Sequence, residues 1–347
     1  MSDKKKKLFN ALFVAVIFCL TIYSVFDGED PVQTVKMIMK ARPGYLLWGV
    51  ACVVFFIWGE SFVIHYLFKT LSIKTKRRTC FMYSCIGFFF SCITPSASGG
   101  QPAQILYMKK NDIPVPVSTL VLMIVTITYK LILVFVGLFL AIFQRGFINK
   151  YLLNVLPVFY LGVLLNVFCC AFMLILVFHP DFAKKIMLVL LSCMERLHLM
   201  KRKPARTKRL EESMDLYHAT ASFFKKNLRV ICNVIVITFC QRFALFFVTY
   251  FVYRALGLTG GRMYDVVMLQ AVISVSVDML PLPGGMGISE HMFLDIFAPF
   301  FYGALLLPGM VLSRGIAYYA QLLLSGAVTL FAHFTIGRHN TDTAANI

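Results

Sequence analysis

CFMYSCIGFFFSCITPSASGG, residues 80–100, decides how this chain is built. The apolar run over 80–93 suits a bilayer but is too short to cross one, because a spanning helix needs about 20 residues. It then breaks on Thr94-Pro95-Ser96-Ala97-Ser98-Gly99-Gly100, where proline removes a backbone donor and glycine frees the dihedrals. A second short apolar run, 264–280, breaks in the same way on Pro281-Leu282-Pro283-Gly284-Gly285. Such segments read as re-entrant hairpins, which enter the membrane, bend near its middle and leave by the side they came from. Their irregular backbone must then be satisfied by protein or water.

The rest of the chain agrees with a membrane setting. Hydrophobic residues make up 59% of the 347 and charged residues 14%, and the mean hydropathy is +0.77, which excludes a water-soluble fold. The apolar stretches are continuous rather than alternating, which excludes an outer-membrane barrel. Six stretches are long enough to span: 8–26, 45–68, 115–143, 151–178, 230–256 and 304–334. The first outruns a signal-peptide core and has no small-residue cleavage site after it, so it reads as a retained anchor. The predicted fold class is therefore an all-α polytopic membrane protein, a single membrane domain over 1–347 with six full spans and two broken hairpins. With the basic run Lys4 to Lys7 inside, 24 of the 34 Lys and Arg residues fall on cytoplasmic segments, 7 on the opposite face and 3 within spans. That distribution obeys the positive-inside rule if both hairpins are re-entrant, with both termini in the cytoplasm.

Residues 45–143 and 228–334 share one plan: a long helix, a Pro/Gly-broken hairpin, then a long helix. From Tyr45 to Gly99 is 54 residues and from Leu228 to Gly284 is 56. The first long helix runs inward in one half and outward in the other, so the halves form an inverted repeat, as in secondary transporters whose broken helices meet at the midplane around a substrate.

Six ionisable residues fall within or beside the apolar core: Glu60, Lys130, Arg242, Asp278, Glu290 and Arg314. Each costs about 2.5–3.5 kcal/mol in lipid on the insertion scale, so they must pair or face water. One reading makes them structural ion pairs between helices. The other makes them a hydrated, zwitterionic cavity for a lipid headgroup, with Lys130, Arg242 and Arg314 taking phosphate and Glu60, Asp278 or Glu290 taking an ammonium. Half-helix N-termini after Gly100 and Gly285 would add backbone donors, and Gln101 and Gln104 would add neutral hydrogen bonds.

On these motifs a resemblance can be stated. Thr94-Pro95-Ser96-Ala97-Ser98-Gly99-Gly100-Gln101-Pro102-Ala103-Gln104 and Pro283-Gly284-Gly285-Met286-Gly287-Ile288-Ser289-Glu290 resemble the paired signatures of the lysylphosphatidylglycerol synthase transmembrane (flippase-like) family. The second matches the pattern P-G-G-x-G-x-x-E throughout. The resemblance covers about residues 8–335 and implies a bacterial cytoplasmic-membrane protein that translocates aminoacylated phosphatidylglycerol or a related phospholipid, contributing to cationic antimicrobial peptide resistance. In bifunctional relatives a soluble lysyl-tRNA-dependent transferase follows the membrane part. The few residues after 334 are not expected to form one, so a phosphatidylglycerol lysyltransferase activity is the alternative reading and a separate soluble aminoacyltransferase a candidate partner. A non-transporting scaffold or regulator is the third. The uncharged segment from Gly100 to Met108, with Gln101 and Gln104 where a charged side chain is expected, departs from the family pattern and leaves lipid identity open.

Other features imply less. The connection over 180–229 carries Lys201-Arg202-Lys203-Pro204-Ala205-Arg206-Thr207-Lys208-Arg209, which reads as a juxtamembrane cluster drawn to anionic membrane lipids. Nucleic acid is the weaker reading, because no aromatic residues are interleaved. Leu210, Met214, Tyr217, Ala221 and Phe224 recur at helical spacing and predict one face of an interfacial helix. Ser98 lacks a convincing catalytic base, Ser289-Glu290-His291 is no zinc motif, and the ten cysteines show no metal-ligand spacing. No Walker A motif occurs. No cofactor, metal or catalytic residue is implied.

Overall fold

The computed structural model describes residues 31–196 and 204–335, and every regular element among them is a helix. The predicted first span at 8–26, the basic run before it and residues 197–203 lie outside the described residues. The elements are α1 (Pro31–Met39), α2 (Pro43–Thr70), α3 (Arg77–Ile93), α4 (Gly100–Lys110), α5 (Val115–Phe143), α6 (Arg145–Tyr151), α7 (Leu156–Phe178), α8 (Pro180–Arg196), α9 (Pro204–Lys226), α10 (Leu228–Ala255), α11 (Met263–Val277), α12 (Ile288–Phe297), α13 (Leu306–Arg314) and α14 (Gln321–Thr335). A π-helical turn, Gly315–Ala320, joins α13 to α14. Five stretches are long and apolar enough to cross a membrane: Pro43–Thr70, Val115–Phe143, Leu153–Phe178, Leu228–Ala255 and Gly303–Phe334. The chain is a multi-pass membrane protein. Its long helices α2, α5 and α7 have proline in the first or second position and no side-chain cap, which uses a residue whose missing N–H has no helical partner to lose.

Both broken segments are hairpins in the structure. α4 runs back along α3: a Cβ at Gly100 would lie 2.1 Å from Ser91 Oγ and 2.7 Å from the Gly87 carbonyl, and Gln104 fills the space beside Gly87. α12 likewise returns to the start of α11, so that Gly261 lies against Phe300 and Gly260 beside Tyr302. The tips meet. Ser96 Oγ donates to the Leu280 carbonyl at 3.2 Å, and Tyr318 OH donates to the Cys92 carbonyl at 2.8 Å.

Around the tips, α2 packs along α10, α3 lies against α14, and α11 lies against α5 and α7. Small residues permit these approaches: a Cβ at Gly59 of α2 would sit 3.0 Å from Gln241 of α10. Two apolar cores result. One gathers Phe159, Phe246, Phe293, Phe297 and Phe301; the other gathers Phe68, Tyr83, Leu120 and Phe224. In α9 the predicted stripe Met214, Tyr217, Ala221 and Phe224 is buried in this second core, and Tyr217 OH donates to the Leu176 carbonyl of α7 at 3.2 Å. Burial pushes the Tyr217 phenol up to about 12, so it stays protonated as a donor at neutral pH.

The closest approach of a glycine to the backbone of another helix, among the described residues, is between α7 and α11. A Cβ on Gly162 would lie 2.5 Å from Ser276 Cα and 2.6 Å from the Val275 carbonyl, backbone atoms that cannot rotate away. Gly to Ala in a helix ordinarily stabilises by about 0.5–1 kcal/mol. Here the sign reverses: Gly162→Ala is expected to lower the melting temperature in detergent, with a loss of about 1–3 kcal/mol, whereas Gly146→Ala, which meets nothing within 4 Å, leaves it unchanged or raises it.

Candidate functional site at the meeting of two broken hairpins

The Pro/Gly motifs supply the geometry. In the first, Thr94 Oγ1 donates to the Phe90 carbonyl at 2.6 Å and accepts the Gly99 N–H at 2.9 Å, so one hydroxyl ties the end of α3 to the turn that starts α4. Ser96 and Ala97 sit at φ 50° and 54°, a left-handed conformation that costs a side chain-bearing residue about 1–2 kcal/mol. In the second, glycine takes those positions: Gly284, Gly285 and Gly287 have φ of 57°, 67° and 86°. A Cβ at Gly284 would also fall 2.1 Å from the Tyr318 ring.

Glu290 closes the second motif. Its Oε2 accepts the Gly287 N–H at 2.8 Å, capping α12, while the Ser289 hydroxyl lies 2.7 Å away. Oε1 accepts Arg314 Nε at 2.8 Å, and the same guanidinium donates to the Gly284 carbonyl at 3.0 Å. Acid, base and turn thus form one closed unit, in which the Arg314–Glu290 pair is internally neutral.

A second cluster crosses between the halves. Lys130 of α5 forms an ion pair with Asp278, just past α11, and Tyr129 OH donates to the other Asp278 oxygen at 3.0 Å. Arg242 of α10 lies over Tyr129, with the guanidinium carbon 3.8 Å from the ring centroid and 5.3 Å from that of Phe246. Phe56 of α2 lies 5.9 Å away. Arg242 is 3% exposed. No carboxylate pairs with it among the described residues, and its Nε finds no acceptor there. Arg242, Lys130 and Asp278 together carry two positive charges and one negative, a buried net charge of one.

Glu60 lies one helical turn beyond Phe56 on α2. Its partner is neutral: Gln104 Nε2 donates to Oε1 at 3.0 Å and to the Tyr83 carbonyl at 3.2 Å. Gln101 bonds Thr126 of α5. Of the eight residues predicted to bind substrate, the structure therefore joins Glu290 with Arg314, Lys130 with Asp278, and Glu60 with Gln104; Arg242 reaches Asp278 only through Tyr129, and Gln101 stands apart on Thr126. Sequence reasoning missed Tyr129, Phe56, Phe246 and Thr126. The aromatic next to Lys130 and the i, i+4 spacing of Arg242 and Phe246 were signals, but in a chain with 34 phenylalanines such signals recur everywhere.

Both motifs fall inside a single matched stretch, residues 8–325, of the family described as Lysylphosphatidylglycerol synthase TM region. The chain belongs to that family. Curated proteins give no sequence match. Within the family frame, the P-G-G-x-G-x-x-E segment acquires a physical account: its glycines take positive φ, and its glutamate caps the following helix and holds an arginine on the turn.

A double-mutant cycle tests the closed unit. Removing one partner of a buried pair leaves the other uncompensated and costs about 3–5 kcal/mol. Glu290→Gln and Arg314→Gln should each lower thermal stability substantially, and the double variant by clearly less than their sum. Additive losses would show that the two side chains do not share an interaction.

Proposed function

We propose that this protein translocates an aminoacylated phosphatidylglycerol, or a related phospholipid with both phosphate and amine in its headgroup, across the bacterial cytoplasmic membrane, and so contributes to cationic antimicrobial peptide resistance. The observation that carries this reading is Arg242, a buried guanidinium seated on aromatic rings with no carboxylate of its own among the described residues. An acceptor from outside the protein completes it, and a phosphodiester has the charge and the oxygens to do so. Glu60, held by a neutral amide, is the group suited to the headgroup amine. The net charge of the central cluster favours an anion, while the carboxylate one turn from Phe56 favours the cationic end of the same molecule. Glu290 and Arg314 are assigned to maintaining the turn, since their charges already satisfy each other.

Under this proposal the two halves are inverted repeats and both hairpins are re-entrant. The pairing of helices supports that reading. α3 against α14 has its counterpart in α11 against α5, α2 packs on its own counterpart α10, and the two tips meet. Relative to a strict repeat the first half departs at Gln104, close to the place Glu290 holds in the second. Lacking that acid in its own half, Lys130 reaches across to Asp278. Alternating access would come from rocking of the halves about the shared tips, with the acyl tails remaining in the bilayer.

Topology is checked by single cysteines in a cysteine-free background. Positions 75 and 111, flanking the first hairpin, should react with an impermeant thiol reagent from one side only, and 260 and 302 from the other side only. Labelling of 75 and 111 from opposite faces would remove the re-entrant reading.

Transfer itself is read in vesicles that carry lysylphosphatidylglycerol in one leaflet, by its exposure to an impermeant amine reagent. The protein should accelerate exposure. Loss of one charge-assisted contact, worth about 1.5–3 kcal/mol, predicts a drop of about tenfold or more in Arg242→Gln and in Glu60→Gln while both variants still elute as folded protein. Unchanged transfer in both would refute the headgroup assignment.

A further inference from the structure

A cavity of about 440 Å³ opens between α2, α3 and α14, away from the central cluster. Its volume lies within the usual range of ligand pockets, about 300–1,000 Å³. Trp58, Phe62 and Phe331 form much of its wall, while Arg77, Arg78 and His65 supply its charged and polar groups. The α2 contribution comes from positions 58, 61, 62 and 65, spacings that define one helical stripe. Glu60 lies on another face of the helix, bonded to Gln104. Among the described residues no carboxylate pairs with Arg77 or Arg78, and no acid lines the cavity.

We propose that this groove is a binding site for an anionic glycerophospholipid, distinct from the transported molecule. The phosphodiester lies against Arg77 and Arg78, and an acyl chain follows Trp58, Phe62 and Phe331 toward the membrane interior. The argument is one of charge and amphipathy. Two arginines without an acid attract a headgroup of net negative charge and repel one whose added lysyl group makes it net positive. The aromatic wall suits a hydrocarbon tail, and Trp58 is 51% exposed. The guanidiniums belong to the basic segment between α2 and α3, which the charge distribution places on the cytoplasmic face, where anionic lipids concentrate. The site does not depend on translocation.

The chain has two tryptophans, Trp48 and Trp58, so Trp48→Phe leaves a reporter inside the groove. The full chain carrying W48F is reconstituted in phosphatidylcholine vesicles containing equal mole fractions of either brominated phosphatidylglycerol or brominated phosphatidylcholine, and tryptophan quenching is measured. Because each basic side chain near a membrane surface attracts an anionic lipid by roughly a fewfold factor in local occupancy, quenching by the brominated phosphatidylglycerol should be about threefold stronger or more. Trp58→Phe, which leaves Trp48, should show no such preference. The preference should vanish in R77Q/R78Q and persist in R77K/R78K, which controls for folding. It should also persist in R242Q, even where transfer is lost, which separates this site from the central one. Equal quenching by the two lipids, or an undiminished preference in R77Q/R78Q, would overturn the proposal.

Discussion

Ionised side chains in an apolar medium must find a partner, and that requirement organises the centre of this protein. Lys130 and Asp278 come from a long helix and from the end of a broken one, and neither could lie at this depth without the other. The pair forms at the end of α11, whose last residue is Val277, and the prolines at 281 and 283 keep that helix from running on. Once the helix stops, its last carbonyls and the following N–H groups need partners in a region without bulk water. The meeting of the tips supplies some of these. Ser96 answers the Leu280 carbonyl, and Tyr318 answers that of Cys92. The broken backbone and the buried charge are two aspects of one constraint, each made tolerable by the other.

The two motifs meet this constraint by different chemistry. The second uses glycine wherever φ is positive and spends its only acid on the helix N-terminus and on Arg314. Its geometry is specified twice, by conformational freedom at Gly284, Gly285 and Gly287 and by a neutral ion pair that locks the result. The first places serine and alanine in the left-handed region and relies on hydroxyl bonds from Thr94 and on close packing of Gly100 against Gly87. Its hold on the turn is weaker: neutral hydrogen bonds replace a charge-assisted one, and some backbone strain is carried.

The sequence reveals the class of fold and the location of the tips because both follow from local rules. Apolar runs of about 20 residues mark spans, and proline with glycine marks the breaks. The stripe from Leu210 to Phe224 is readable by period alone. The partners are not. Nothing in the spacing of Glu60 and Arg242, which stand at matching places in their helices, tells that one takes an amide and the other three aromatic rings. Pairing between side chains distant in sequence depends on helix rotation and on which small residues allow close approach, such as Gly59 against Gln241, and these are properties of the packed whole. The groove was hidden for the same reason: Arg77 and Arg78 read as two more positive-inside charges until α14 lies alongside them.

The charge is also unevenly distributed among the three sites. The Glu290–Arg314 unit is neutral, the Arg242–Lys130–Asp278 cluster has an excess of one positive charge, and the groove wall has two arginines and no acid. The positive charge of the groove does not by itself draw a zwitterionic or cationic lipid inward, since such a headgroup gains little from it. It does hold net-anionic lipid at the periphery and away from the central arginine. Under the proposed function, discrimination at the centre rests on Glu60, because a carboxylate that accompanies a single excess guanidinium rewards a molecule that presents an amine together with its phosphate and penalises one that presents phosphate alone. Selectivity of this kind needs an unfavourable element for the wrong ligand as well as a favourable one for the right, and under the proposed function the same side chain provides both.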